Sequence, residues 1–372
     1  MKVTLKQIAD KTGFSISTIS RSLTNSSTIS KETRDQVHRV ASELGYRPST
    51  KKKRQRKKRR TLHFALLSEF RTGEFYASLF CGYRDASCDE EVRISLLSIR
   101  DQRAECVKFI QQVQKENSYD GIILFFPSLE RSHYERILKT LPKRFPVVSN
   151  ALIDNPNITT ITFDGYNGGR LAAEHLHHLG YRRLGIIEGP VKLPESRFRN
   201  NGFVDYIRQH PDLELSWRYR GNYEFHSGLD AFRDFQKKSD LLHNAIPAPA
   251  LVSKTESSEA KPVNTMMMGE NEPLSLPADA VFACNDSMAT GFLESAKAAG
   301  LQIPGDVAIL GYDNLPAGLH RKPQLSSIDT DFRELGVSSI KTLKNKILKQ
   351  GYKHGTLGFI PVHLIEREST IG

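Results

Sequence analysis

The chain has 372 residues and a formal net charge of +11, more than one hydrophobic core usually supports, so a small domain plus a larger one- or two-lobed body is expected. The basicity is local: residues 1–60 hold 17 Lys+Arg against 4 Asp+Glu, whereas residues 61–372 hold 36 against 38. A polyanion partner is therefore expected for the N-terminal end alone. Cys81, Cys88, Cys106 and Cys284 form no close pair, which argues against a zinc cluster or a disulfide framework and fits a reducing compartment. An apolar stretch long enough for a membrane span is missing, as is the apolar core of an export signal, so a soluble cytoplasmic protein is expected.

The first element is read from Leu5, Ile8, Ala9 and Thr12, apolar or small at helical spacing, with Thr4 as N-cap and Gly13 as stop. A second helix, capped by Ser15 or Ser17, turns Ile16, Ile19 and Leu23 inward and leaves Ser17, Thr18, Ser20 and Arg21 outward. Ser30-Lys-Glu-Thr33 opens a third helix that buries Val37, Val40, Ala41 and Leu44 before Gly45 ends it. Two short helices around a glycine-containing turn describe a helix-turn-helix, whose second helix enters the major groove of double-stranded DNA. Arg21 then donates to guanine, while Ile16 and Ser17 reach base edges. A small helical bundle with solvated polar faces remains the alternative on periodicity alone.

Nine of the ten residues from Lys51 to Arg60 are Lys or Arg, a block that repels itself and is expected to be disordered in the free protein. Beyond it, apolar runs at 62–67, 94–97, 121–126 and 146–148 alternate with amphipathic segments, and the rhythm restarts at 183–188 and continues through 280–283 and 307–310. That alternation predicts parallel sheets covered by helices, in two similar lobes with a cleft between them. Residues 243–276, rich in Pro, Ser, Glu and Ala, exceed an ordinary connection and are expected to be a disordered insertion on the outer lobe. His175 and His178 share a helical face but lack metal-ligand company, so a surface pair is the expectation. Gly165, Gly168 and Gly169 lack the Lys-Ser/Thr of a phosphate loop, so neither nucleotide cofactor nor metal is expected. No nucleophile, metal set or acid/base pair marks an enzyme.

The run Thr4–Asn25, with Ser30–Arg34 and Leu44–Pro48, resembles the head of the LacI/GalR family of bacterial transcriptional repressors. Further strings resemble that family's body: Phe163–Gly169, Arg199-Asn-Asn-Gly-Phe203, Asn285-Asp286, Gly311-Tyr-Asp-Asn314, Pro323–Ile328 and Pro361–Thr370. The resemblance implies an α/β protein with a small all-α head, 1–47, a basic hinge linker, 48–61, and a two-lobed periplasmic-binding-protein-like body, 62–372. Lobe 1 is expected at about 62–162 and 331–354, and lobe 2 at about 163–330 and 355–372. By position, Ile16, Ser17 and Arg21 fall where the family reads bases; Thr18 adds to that face, and Thr4, Ser20, Asn25 and Thr33 fall at phosphate contacts. The linker departs from the family pattern: Pro48 is kept, but Ser49, Lys52 and Gln55 replace the asparagine, alanine and wedging leucine. Lys51, Lys52, Lys53 and Arg54 are expected to hold DNA by charge, with a solvated tether as the alternative.

The resemblance also implies a small effector between the lobes, expected to be a sugar or sugar derivative. Arg199, Asn285 and Asp313 would clamp neighbouring hydroxyls, and Phe75, Asn150, Tyr223 and Phe332 would complete the wall. Asp313 bonded to its own turn and Arg199 in a surface ion pair are the alternatives. Phe125 stands where a family member places a polar ligand group, and Arg71 and Glu74 flank Phe75 as either charge selectors or a solvated loop. A pseudo-palindromic operator implies a homodimer formed through the body. The absence of leucine heptads after Arg367 disfavours tetramers. The expected regulator is cytoplasmic, associated with the nucleoid when DNA-bound, and allosteric; a constitutive regulator with a vestigial or non-sugar cleft is the alternative.

Overall fold

The structure, a computed structural model, describes residues 3–23, 29–46, 60–116, 118–142, 145–153, 158–245, 276–349 and 355–371. Asn25, Lys51, Lys52, Lys53 and Arg54 lie outside these residues, as do nearly all of the linker and positions 246–275. The chain forms two units, 1–60 and 61–372.

The first unit holds α1 (Leu5–Thr12), α2 (Ile16–Leu23) and α3 (Lys31–Glu43). Each boundary has a local chemical cause. The Thr4 N–H donates to Gln7 Oε1 at 2.8 Å, and Gly13 ends α1 in the left-handed region at φ 75°, which only glycine enters without a Cβ penalty. Ser15 Oγ accepts the Thr18 N–H at 3.2 Å, and Ser30 Oγ accepts the Thr33 N–H at 3.3 Å, satisfying donors that the first turns of α2 and α3 leave unpaired. At the end of α3 the Tyr46 N–H reaches Ala41 O at 2.8 Å and the Gly45 N–H reaches Ser42 O at 3.0 Å, the pairing of a Schellman motif. Ile8, Ile19, Val37 and Ala41 are buried together. Ile16, which spacing placed inward, is instead 50% exposed. It opens α2, with no preceding turn beneath it, and Phe14 from the connecting turn packs on the core in its stead.

In the second unit, strands and helices alternate in the expected order. They run β1 (His63–Ser68), α4 (Glu74–Asp89), β2 (Arg93–Ser98), α5 (Gln102–Lys115), β3 (Gly121–Phe125), α6 (Arg131–Thr140), β4 (Val147–Ser149), β5 (Thr160–Phe163), α7 (Gly165–His178), β6 (Arg183–Glu188), α8 (Pro194–Gln209) and β7 (Glu214–Arg220). There follow α9 (Phe225–Ala245), β8 (Ala280–Ala283), α10 (Asp286–Ala298), β9 (Ala308–Asp313), a 3-10 turn at Pro316–His320, β10 (Ser326–Thr330), α11 (Phe332–Lys349), β11 (Leu357–Ile360) and β12 (Val362–Ile365). They build two sheets, ordered β11-β5-β4-β3-β1-β2 and β12-β10-β9-β8-β6-β7. The central strands are apolar and buried because helices cover both faces. Among the described residues the one antiparallel neighbour is β12, which pairs with β10.

The lobe division differs from the expected one at a single point. Strand β11 lies parallel to β5 in the first sheet, Leu357 opposite Thr160, so the chain returns to the second lobe at Pro361 and not near residue 355. Proline has no N–H to give a ladder, and it sits where one strand must end and another begin. At the edges of the segment expected to be a disordered insertion the described residues are ordered: 243–245 extend α9, and Leu276 is buried in the second-lobe core.

His175 is also not a surface residue. It is 6% exposed, and its Nε2 lies 2.9 Å from Thr370 Oγ1, a partner from the chain's end that helical spacing does not reveal. The glycines of α7 have a packing role. A Cβ on Gly169 would overlap the Arg199 carbonyl of α8, one on Gly202 would overlap the Tyr166 carbonyl of α7, and one on Gly168 would stand 2.6 Å from the Tyr312 ring. The two helices cross backbone against backbone, and that crossing fixes the stem of Arg199.

Candidate functional site

Between the two lobes of the second unit lies a cleft of about 1440 Å3. Of the seven residues expected there, six line it: Phe75, Asn150, Arg199, Tyr223, Asn285 and Asp313. Phe332 stands one layer back, its ring 5.3 Å from Phe75 and edge-on, because it starts α11 inside the first-lobe core.

Arg199 is 8% exposed. Its Nη1 donates to Cys284 O at 2.6 Å, its Nη2 lies 3.3 Å from Asp313 Oδ1, and its guanidinium carbon sits 3.7 Å from the centre of the Tyr312 ring. Burial opposes its charge, but Asp313 and the surrounding groups hold it ionised. A buried pair across the site thus replaces both alternatives considered for these residues. Burial pushes the Asp313 carboxyl up to about 6 against the pull of Arg199. Its Oδ1, although in ion-pair range, has no hydrogen-bond partner among the described residues; nor does the Tyr312 hydroxyl, nor Glu195 Oε2. Buried polar atoms are paired in most native sites. A cluster of unpaired ones beside a cleft describes acceptors and a hydroxyl held ready for a polar guest.

Backbone strain gathers here too. Tyr223 has φ 74° and Asp313 φ 109°, a region that side chains other than glycine, asparagine and aspartate rarely enter. Neighbours hold both: Asn285 Nδ2 donates to Tyr223 O at 2.9 Å, and Thr330 Oγ1 donates to Asp313 O at 3.1 Å. Asn285 Oδ1 also caps α10 by accepting the Met288 N–H at 3.0 Å. Asn150 is more fully committed. Its amide donates to Ile161 O at 2.8 Å and to Ser339 Oγ at 2.9 Å, and its oxygen accepts the Tyr83 hydroxyl.

Sequence reasoning missed Glu195. From the first turn of α8 it lines the cleft, and its Oε1 accepts the Leu152 N–H of the first lobe at 2.6 Å. A reciprocal bond runs the other way: Glu74, from the first turn of α4, accepts the second lobe's Ala317 N–H at 2.9 Å. Each carboxylate belongs to the first helix after the first strand of its lobe, so the pair clamps the cleft from both sides. Glu195 and Arg199 stand four apart on one helical face, a spacing that could have drawn notice; the Leu152 contact could not. Burial raises the Glu195 carboxyl to about 7, against the pull of its backbone hydrogen bonds and Arg199. An acid whose folded pKa is raised stabilises least once ionised, so its contribution falls as pH rises from its unfolded value through about 7. Glu195→Gln removes that dependence while leaving an acceptor for Leu152. Thermal melts should show the variant gaining on the wild type from about pH 5 to about pH 8; a constant difference would contradict the assignment.

In the first unit, Ile16, Ser17, Ser20 and Arg21 lie exposed on α2, and Thr18 is half-buried. The Ser17 and Thr18 hydroxyls both meet Ser15 Oγ, at 2.8 and 2.9 Å. Thr4 is exposed before α1, and Thr33 lies half-buried in the first turn of α3. Among the described residues no group of three or more His, Cys, Asp or Glu could hold a metal ion, and no helix is long and apolar enough to cross a membrane.

Comparison with known proteins agrees with this architecture. Residues 4–49 match the bacterial regulatory proteins of the lacI family, and residues 173–370, just over half of the chain, match the periplasmic binding protein-like domain. The ribose operon repressor of Bacillus subtilis is 27% identical over 369 residues, 99% of this chain and 98% of that protein. The HTH-type transcriptional repressor PurR of Histophilus somni is 22% identical over 366 residues, 98% of each. Two solved structures share the fold: the lac repressor dimer bound to operator and the anti-inducer ONPF, with TM-score 0.65 and 21% identity over 100% of both chains, and the transcriptional regulator CelR in complex with cellobiose, with TM-score 0.64 and 23% identity over 99% of this chain and 100% of that one. With a helix-turn-helix head and a two-lobed periplasmic-binding-protein-like body, the chain belongs to the LacI family of bacterial regulatory proteins and is a DNA-binding transcriptional regulator.

Proposed function

We propose that this regulator is a repressor whose homodimer grips a pseudo-palindromic operator and is controlled by a sugar or sugar derivative bound between the lobes. The observation that carries the reading is the buried Arg199–Asp313 ion pair, in which Asp313 Oδ1 makes no further hydrogen bond, with the unbonded Tyr312 hydroxyl beside it, in a chain that also bears a helix-turn-helix. A fork-shaped cation and a carboxylate suit vicinal hydroxyls. Its relatives include ribose operon repressors, and one structural neighbour is a cellobiose complex. In the head, Arg21, Ser17, Thr18 and Ile16 face bases while Thr4, Ser20 and Thr33 meet phosphates; Asn25 and the run Lys51–Arg54 join the latter.

Arg21→Ala tests the DNA half of this reading. Using duplexes selected from genomic fragments by the wild-type protein, fluorescence anisotropy should show a loss of about 1–3 kcal/mol per half-site on selected DNA. Binding to unrelated DNA should weaken far less. An equal loss on every sequence would reduce Arg21 to a phosphate contact.

A further inference from the structure

The two walls of the cleft differ in kind. The second lobe presents Arg199, Asp313, Asn285 and Tyr223, whereas the first lobe presents an apolar face of Phe75, Leu79, Phe125, Ile153, Phe163 and Leu335, with Tyr76, Ser128 and Thr162 as its hydroxyl-bearing members. Phe75 and Phe125 are stacked 5.8 Å apart at 27°, and Phe332 meets both Phe75 and Phe163 edge-on, at 5.3 and 5.6 Å. The aromatic surface is thus braced from behind. Asn150, the buried amide on this side, has both its amide hydrogens and its oxygen engaged within the lobe. The charged first-lobe groups that line the cleft, Arg71, Glu74, Arg103, Glu130 and Arg131, are all exposed.

A hydroxyl pressed on the aromatic wall would give up water for nothing, at about 1–3 kcal/mol. An apolar ring in the same place gains about 25 cal/mol for each Å2 covered. Room is available: about 1440 Å3 exceeds the roughly 300–1,000 Å3 of ordinary small-molecule pockets. Resting on the reading of the cleft as the effector site, we infer that the effector is amphipathic: a sugar held by the second lobe and carrying a flat apolar substituent that packs on Phe75 and Phe125, as an aryl glycoside does. A second sugar ring there could turn only its C–H face to Phe75 and Phe125, so it would cover less apolar surface than an aryl ring and gain less.

The test is isothermal titration of the full-length protein with free pentoses and hexoses and with both anomers of their methyl and phenyl glycosides. For the sugar that binds best, the phenyl glycoside should bind about tenfold or more tighter than the methyl glycoside. Phe125→Asn should shrink that ratio towards one, and Phe125→Leu, which keeps an apolar surface and guards against a folding artefact, should retain most of it. Equal binding of phenyl and methyl glycosides would overturn the amphipathic effector and leave the sugar reading standing. If no sugar or glycoside binds at all, both fall.

Discussion

Arg199→Met is expected to destabilise the protein by about 3–5 kcal/mol near neutral pH, because it strands a buried carboxylate without its cation. Asp313 is 3% exposed, and Asp286, itself buried and pushed up to about 8 by burial and by Asp313, offers it no relief. The pH dependence follows from the sign of the shift. The folded pKa of Asp313 already lies above its ordinary value, at about 6, and loss of Arg199 raises it further. Ionisation is therefore resisted in the folded state alone, so the deficit should grow as pH rises and shrink towards about pH 5, where Asp313 is protonated. What persists at low pH is the lost bond to Cys284 O and the lost packing on Tyr312. The double variant Arg199→Met/Asp313→Asn removes both charges while keeping a side chain that tolerates the positive φ at 313, and should recover much of the stability, yet it should not recover ligand binding. Chemical denaturation at several pH values, with and without ligand, separates the two effects; a single variant as stable as wild type at about pH 8 would contradict a buried, mutually dependent pair.

Gly202→Ala is expected to cost about 3 kcal/mol or more, although intrinsic propensity favours it. Inside a helix, Ala is better than Gly by about 1 kcal/mol, so a helix free of neighbours would gain. Here the new methyl would overlap the Tyr166 carbonyl of α7. That obstacle is backbone and cannot swing aside, and overpacking costs at the upper end of about 1–3 kcal/mol are the starting point. Gly169→Ala should behave alike, since its methyl would overlap the Arg199 carbonyl, and either change should also displace the Arg199 stem and weaken ligand binding. Gly165→Ala is the control: its Cβ would stand 3.4 Å from Arg199 Cγ, an ordinary contact, and should leave stability within about 0.5 kcal/mol. Stabilisation by Gly202→Ala would mean that α7 and α8 do not cross this closely.

These two cases mark what the sequence made legible. The glycine run at 165–169 was plainly not a phosphate loop, because the following lysine is missing, but its purpose depended on α8, some thirty residues on. The alternation of apolar strands and amphipathic helices was readable from spacing, since buried parallel strands are continuous apolar runs. Helix ends in the head were readable from Gly13, Ser30 and Gly45, whose effects are local. Ile16 was misplaced because periodicity assumes a complete helix, and residue 16 is the first of α2. Within the site, Arg199, Asn285 and Asp313 were named through resemblance. Their mutual arrangement, Glu195 reaching Leu152, and the separation of aromatic and polar walls all join segments far apart in sequence, beyond the reach of pattern.

The clamp made by Glu74 and Glu195 gives ligand binding a physical route to lobe spacing, since both carboxylates line the cleft and each already holds the opposite lobe. The central claim is that occupancy of this cleft alters DNA binding. The most direct measurement is a mobility-shift titration on a duplex that the wild-type protein selects, with and without a ligand that calorimetry shows to bind. The account predicts a change in DNA affinity of about 5- to 150-fold, of either sign, that disappears in Arg199→Met/Asp313→Asn while its DNA binding persists. A ligand that occupies the cleft and leaves DNA affinity unchanged would contradict it.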